Sequence, residues 1–139
     1  MIPMNDKQSQ WRFAWRMFAC GLAFYVASGF WPDVMPSQVY GDMARDIQAE
    51  IWALGFMSSS GMVAYGTYIN GRWQWSPALR IAGHVALLIM FAYLCASAFS
   101  APFGAVIVIY GGLFFIPAIV GFLRMNVADL MARARHGAR

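Results

Sequence analysis

His84 is the one side chain of the usual catalytic or ligand types that falls inside a long uncharged stretch. Ionisable groups held at such positions are functional candidates, because burying them in an apolar setting is costly. Its chemistry would be that of a haem or metal ligand. A haem or paired-metal site needs a second ligand, and the other histidine, His136, lies in a basic tail. The chain has no His-x-x-His, Glu-x-x-His or Cys-x-x-Cys spacing. His84 is therefore read as a neutral, hydrogen-bonded interfacial histidine and a weak cofactor candidate. Cys20 and Cys95 both sit in apolar runs and are read as small packing residues. Proton-coupled exporters depend on a carboxylate embedded in a span. The apolar runs contain no Asp or Glu, and Glu50, at the mouth of one, is the nearest. No Gly-rich phosphate loop followed by Lys occurs, and no spacing suggests a nucleophile with its base. The expectation is a non-enzyme with no catalytic residues, no cofactor and no metal.

The elements that carry these residues are read from hydropathy. The 139 residues are 60% hydrophobic and only 12% charged, against about 25% charged in ordinary globular domains. A soluble domain this short buries only about two thirds of its unfolded surface, so lipid must act as the solvent. One domain over 1–139 is expected, an all-α membrane protein. A β-barrel would need short alternating segments, which are absent. The first uncharged run, Met17–Trp31, is stopped by Pro32 and Pro36 and extends backwards past Arg16 and Arg12, whose side chains can snorkel. It ends in Trp-Pro-Asp and not in a small-residue cleavage site, so it is read as a span. The second, Ile51–Gly71, holds Ser58, Ser59 and Ser60 and is the least apolar. The stretch Ile81–Leu123 has no charge and is too long for one helix, since a bilayer core needs about 20 residues. Ser, Pro and Gly at 97–104 break it into two. Four spans follow, at about 12–32, 50–70, 80–99 and 103–124.

Charge sets their direction. Lys7, Arg12 and Arg16 precede the first span, Arg72 and Arg80 lie in the second connection, and Arg124, Arg133, Arg135 and Arg139 follow the fourth. The first connection carries Asp33, Asp42, Asp46 and Glu50 against Arg45, and the third carries no charge. Positive residues alternate with their absence, which predicts both ends on the cytoplasmic side. Arg12, Arg16, Arg72, Arg80, Arg124, Arg133 and Arg135 are the expected topology anchors. Trp11, Trp15, Trp31, Trp73 and Trp75 fall at the expected interfaces, as an aromatic belt would. The net charge of +4 is spread over these flanks and is not gathered into a nucleic-acid patch.

Two pieces lie outside the spans. Val39, Met43, Ile47 and Ile51 recur every four residues in 37–50, behind Ser37 as a plausible N-cap, which predicts a short amphipathic external helix or the first turns of the second span. The tail from Asn126 can align Val127, Leu130, Met131 and Ala134 on one face and rest its arginines on anionic headgroups. It serves as a topological anchor or as a regulatory and partner-binding arm. Within the spans, small residues stand out: Ser58 and Gly61 in the second, Ala92, Ala96 and Ser100 at small-xxx-small spacing, Gly111 and Gly112 in the fourth. They allow close helix packing, within one chain or between chains. Pro117 predicts a kink in the fourth span.

The connection Ile69-Asn70-Gly71-Arg72-Trp73-Gln74-Trp75-Ser76-Pro77-Ala78-Leu79-Arg80 resembles an Ile-Asn-Gly-x-Trp-x-x-Ser-Pro-x-Leu-Arg loop of small membrane proteins of tailed bacteriophages, a holin-like group. Tyr40-Gly41-Asp42-Met43-Ala44 resembles the Tyr-x-x-Met-Ala found upstream in that group. The likeness covers about the middle third of the chain. It implies a non-enzymatic viral protein that oligomerises in the host inner membrane and opens it for lysis. The alternative is a structural or accessory subunit of a larger membrane or virion complex. Expected partners are the lipid bilayer and either self-association or that larger complex, with no nucleic acid.

Overall fold

The computed structural model describes residues 4–30, 48–69, 75–99 and 101–137. Almost all of these are helical. Helix α1 spans Met4–Phe30, α2 Ala49–Tyr68, α3 Ser76–Phe99, α4 Ala105–Tyr110 and α5 Ile116–Gly137, with a π-helical turn at Gly111–Phe115 joining α4 to α5. Three segments are long and apolar enough to cross a membrane: Lys7–Phe30, Ser76–Phe99 and Ala105–Arg135. Their large side chains face outward. Phe30, Phe99, Phe103, Leu113 and Ile89 are all exposed, and only 11% of the most apolar window of Ala105–Arg135 is buried. Exposed apolar surface on this scale is unsuited to water and suited to lipid.

Neighbouring helices run antiparallel. Gly21 of α1 meets Ala53 and Met57 of α2, while Trp11 and Tyr68 share a groove at the other end of the same pair. Between α2 and α3, Gly66 lies against Ser76 and Arg80, and Gly55 against Met90. From α3 onward, Cys95 lies at Gly111, Phe91 stacks on Phe115 with centroids 5.0 Å apart, and Arg80 reaches Asp129. The start of α1, the end of α2, the start of α3 and the end of α5 therefore meet at one end.

Local sequence explains the boundaries. Pro77 sits in the first turn of α3, where its missing N–H costs nothing. The 101–104 turn is closed by Gly104 N–H donating to Ala101 O at 3.0 Å. A side chain at Gly104 would collide with the Ala98 carbonyl, so only glycine closes this hairpin. Helix α2 is the helix that falls short of the membrane-crossing criterion, in keeping with its serines. It packs between α1 and α3, and two of its buried hydroxyls are satisfied on its own backbone: Ser60 Oγ donates to Phe56 O at 2.6 Å and Thr67 Oγ1 to Val63 O at 2.7 Å, while Ser59 Oγ reaches Met90 Sδ of α3 at 4.0 Å.

Several expectations shift. Helix α1 begins eight residues before the expected start of the first span, and α5 continues unbroken through the tail to Gly137. At 1.5 Å per residue, Ala105–Gly137 is about 50 Å long, well beyond a ~30 Å hydrocarbon core. The irregularity expected at Pro117 is a π turn one helical turn earlier. Pro117 cannot donate to residue 113, and a π turn absorbs such a break by shifting the bonding pattern. The expected external helix lies outside the described residues up to 47, as do Arg72, Ser100, Trp31 and Trp73.

Candidate functional site

The convergent end of the helices holds a buried polar cluster. On α3, Arg80 follows Ser76 by one turn, and His84 follows Arg80 by another. On α5, Asn126, Asp129 and Arg133 recur at spacings of three and four. On α1, Gln10 faces the same layer. Gln10, Ser76, Arg80, His84 and Asn126 have no exposed surface, and Asp129 is 6% exposed. The absence of a side chain at Gly66 makes room for the stem of Arg80, whose Cγ would lie 2.8 Å from a Cβ there.

One carboxylate serves two guanidinium groups. Arg80 Nη2 donates to Asp129 Oδ2 at 2.7 Å. Arg133 donates from Nε to Oδ1 at 3.2 Å and from Nη2 to Oδ2 at 3.1 Å. Arg133 Nη1 also reaches Ser76 Oγ at 3.5 Å. The triad ties α3 to α5 across 49 residues of sequence. Beside it, Asn126 Nδ2 donates to Gln10 Oε1 at 3.3 Å, tying α5 to α1. His84 Nδ1 lies 2.8 Å from Arg80 O. A carbonyl only accepts, so Nδ1 carries the proton and Nε2 the lone pair. The ring completes a three-ring cluster with Phe13 (centroids 6.5 Å apart) and Phe122 (5.5 Å), which also touch each other at 5.4 Å. Gln10 Nε2, Arg80 Nε and Nη1, His84 Nε2 and Asn126 Oδ1 are buried without a hydrogen-bond partner. Donors and acceptors are both present, the inventory that buried water satisfies.

The arginines expected at headgroups thus divide. Arg12, Arg16, Arg124 and Arg135 are exposed. Arg80 is fully buried and Arg133 is half-buried, and both are held by Asp129. Two of the residues expected as topology anchors, Arg80 and Arg133, thus belong to a buried polar cluster. Asp129 lies in the tail segment by sequence, but α5 continues through it and turns it inward. Asn126, Asp129 and Arg133 prolong the core-facing row that begins at Ile119, a helical spacing that could have flagged them.

The small residues divide too. Gly111 is buried, and a Cβ there would lie 2.6 Å from Cys95 Sγ. Ser58, Ala92 and Ala96 are exposed, and a Cβ at Gly61 or Gly112 would meet nothing within 4 Å. Close intrachain approach uses Gly21, Gly55, Gly66 and Gly83 instead. An apolar cavity of about 220 Å³ lies between Met17, Phe24, Trp52, Phe56, Phe91 and Phe115. Among the described residues no group of three His, Cys, Asp or Glu side chains is placed to hold a metal ion. No family model, curated protein or solved structure matches the chain.

Proposed function

We propose that this chain is a non-enzymatic, multi-pass protein of the bacterial cytoplasmic membrane that self-associates and permeabilises the bilayer, in the manner of the phage holins it resembles. Four spans with both ends cytoplasmic make up this reading, α2 being the fourth. Twenty residues of α2 give about 30 Å of helix, the thickness of a hydrocarbon core. Shielding between α1 and α3 and the back-bonded hydroxyls of Ser58, Ser60 and Thr67 make its lower hydropathy tolerable in lipid. The basic flanks of α1, α3 and α5 share one end, as the positive-inside rule asks.

The observation that carries the proposal is the outward stripe of α3. Val85, Ile89, Ala92 and Ala96 are spaced 4, 3 and 4 residues apart, and all are exposed. Two alanines one turn apart on a lipid-facing surface leave room for a second backbone to approach. Among the described residues nothing covers them, which leaves them open to a helix of a second copy.

Reconstituted into dye-loaded vesicles, the purified chain is expected to release dye with a steep dependence on the protein-to-lipid ratio. Replacing Ala92 and Ala96 together with Leu is expected to slow release severalfold, because the larger side chains hold a second backbone away. Tight vesicles at high protein load contradict permeabilisation. Stoichiometric foreign partners recovered in mild detergent, with tight vesicles, assign the chain instead as an accessory subunit of a larger membrane or virion complex.

A further inference from the structure

A groove of about 260 Å³ runs between α1 and α2 on the outer surface. Gly61 and Ala64 form its floor, and Trp11, Trp15, Tyr65 and Tyr68 its walls. It starts at the end where the polar cluster lies, at Trp11 and Tyr68, and descends toward the bilayer centre at Gly61. The rings of Trp11 and Trp15 pack edge-to-face, 5.7 Å between centroids, so this wall is prearranged. A Cβ at Gly61 would meet nothing within 4 Å, so the floor is open. The groove is smaller than the ~300–1,000 Å³ of an enclosed ligand pocket. It suits one segment of an extended chain, not a bulky solute.

Charge says which chain. Lys7 precedes Trp11 by one helical turn and so shares its side of α1, at the end where the groove begins. Arg12 and Arg16 are exposed beside that stripe. Across the groove, the described part of α2 from Ile51 to Tyr68 carries no charge. The mouth is therefore cationic at headgroup depth, and the floor beneath it is apolar. A phosphate-bearing headgroup with an acyl chain below it matches both parts, and basic sites between helices on the cytoplasmic side recognise anionic lipids in this way.

We infer that the α1–α2 groove binds an anionic phospholipid, its acyl chain on Gly61 and Ala64 and its headgroup at Lys7 and Arg12. The site is separate from the self-association stripe, which belongs to α3, so either can fail without the other. Tryptophan fluorescence reads it directly, because Trp11 and Trp15 form a wall. The full chain is placed in vesicles in which brominated-acyl phosphatidylglycerol or brominated-acyl phosphatidylcholine replaces part of the lipid. The expected result is half-maximal quenching at a mole fraction about fivefold lower for phosphatidylglycerol, the factor for one basic residue near an anionic group. Replacing Trp11 and Trp15 with Phe should remove this component. Lys7→Gln with Arg12→Gln should bring the two lipids together, and Gly61→Leu should reduce quenching by both, at unchanged helicity. Equal quenching by the two lipids overturns the inference, as does full quenching in Gly61→Leu. A disulfide-linked dimer formed by Gly61→Cys beyond that of the parent chain, with Trp11 and Trp15 unquenched, assigns the groove to a second copy and overturns it too.

Discussion

Asp129→Leu is expected to be the most damaging single substitution outside the helix-breaking ones. It strands Arg80, a guanidinium with no exposed surface, and removes the shared acceptor of Arg133. Breaking a buried pair by deleting one partner costs about 3–5 kcal/mol, because the remaining charge has no compensation. Unfolding titrations of the detergent-solubilised chain should show the loss, with α5 separating from α3. The double substitution Arg80→Met with Asp129→Leu is expected to recover most of the stability, since two apolar groups of similar volume often replace a buried ion pair at no net cost. Failure of the double to recover would mean that the triad acts through Arg133 and Ser76 and not through the Arg80 pair.

Gly83 predicts the second large effect. A Cβ at this position would lie 2.6 Å from Ser59 O, 2.7 Å from Val63 Cγ2 and 3.1 Å from Val63 N. Two of these three neighbours are backbone atoms of α2, so the clash cannot be relieved by a rotamer change and must push α2 away from α3. Gly83→Ala is expected to cost about 1–3 kcal/mol and Gly83→Val more. Gly112→Ala and Gly121→Ala are the controls. Nothing lies within 4 Å of a Cβ at either position, and both should stay within about 0.5 kcal/mol of the parent. Equal sensitivity at Gly83 and Gly121 in the same titration would contradict the α2–α3 packing.

The contrast among these glycines shows where sequence reading stops. Helix positions are legible because hydropathy is a one-dimensional property: the Ser-Pro-Gly break at 97–104 separates α3 from α4, and the serines of α2 mark the least apolar helix. Which side of a helix a glycine faces is not local. Gly61 and Gly66 are five residues apart, yet one faces open space and the other admits the stem of Arg80. Arg80 and Asp129 are hidden for a related reason. Counted by segment, they are a connection arginine and a tail aspartate. Their pairing needs α3 and α5 to be antiparallel and in register over 49 residues. A cue existed in the Asn126–Asp129–Arg133 row, which continues the buried face from Ile119. It was masked because Val127, Leu130 and Met131 form a competing apolar row. His84 was legible in part: its uncharged surroundings are evident in sequence, whereas its bond to Arg80 O and its aromatic neighbours Phe13 and Phe122 come from the fold.

Permeabilisation by self-association is tested most directly in living bacteria. Membrane potential is followed with a voltage-sensitive dye during induced expression, with the amount of protein in the membrane measured in parallel. The parent chain is expected to leave the potential intact until a threshold amount has accumulated and then to collapse it abruptly. The Ala92→Leu, Ala96→Leu chain, at the same amount, is expected to delay or prevent that collapse. A potential that persists at high levels of the parent chain contradicts the proposal, and so does a collapse that the two leucines leave unchanged.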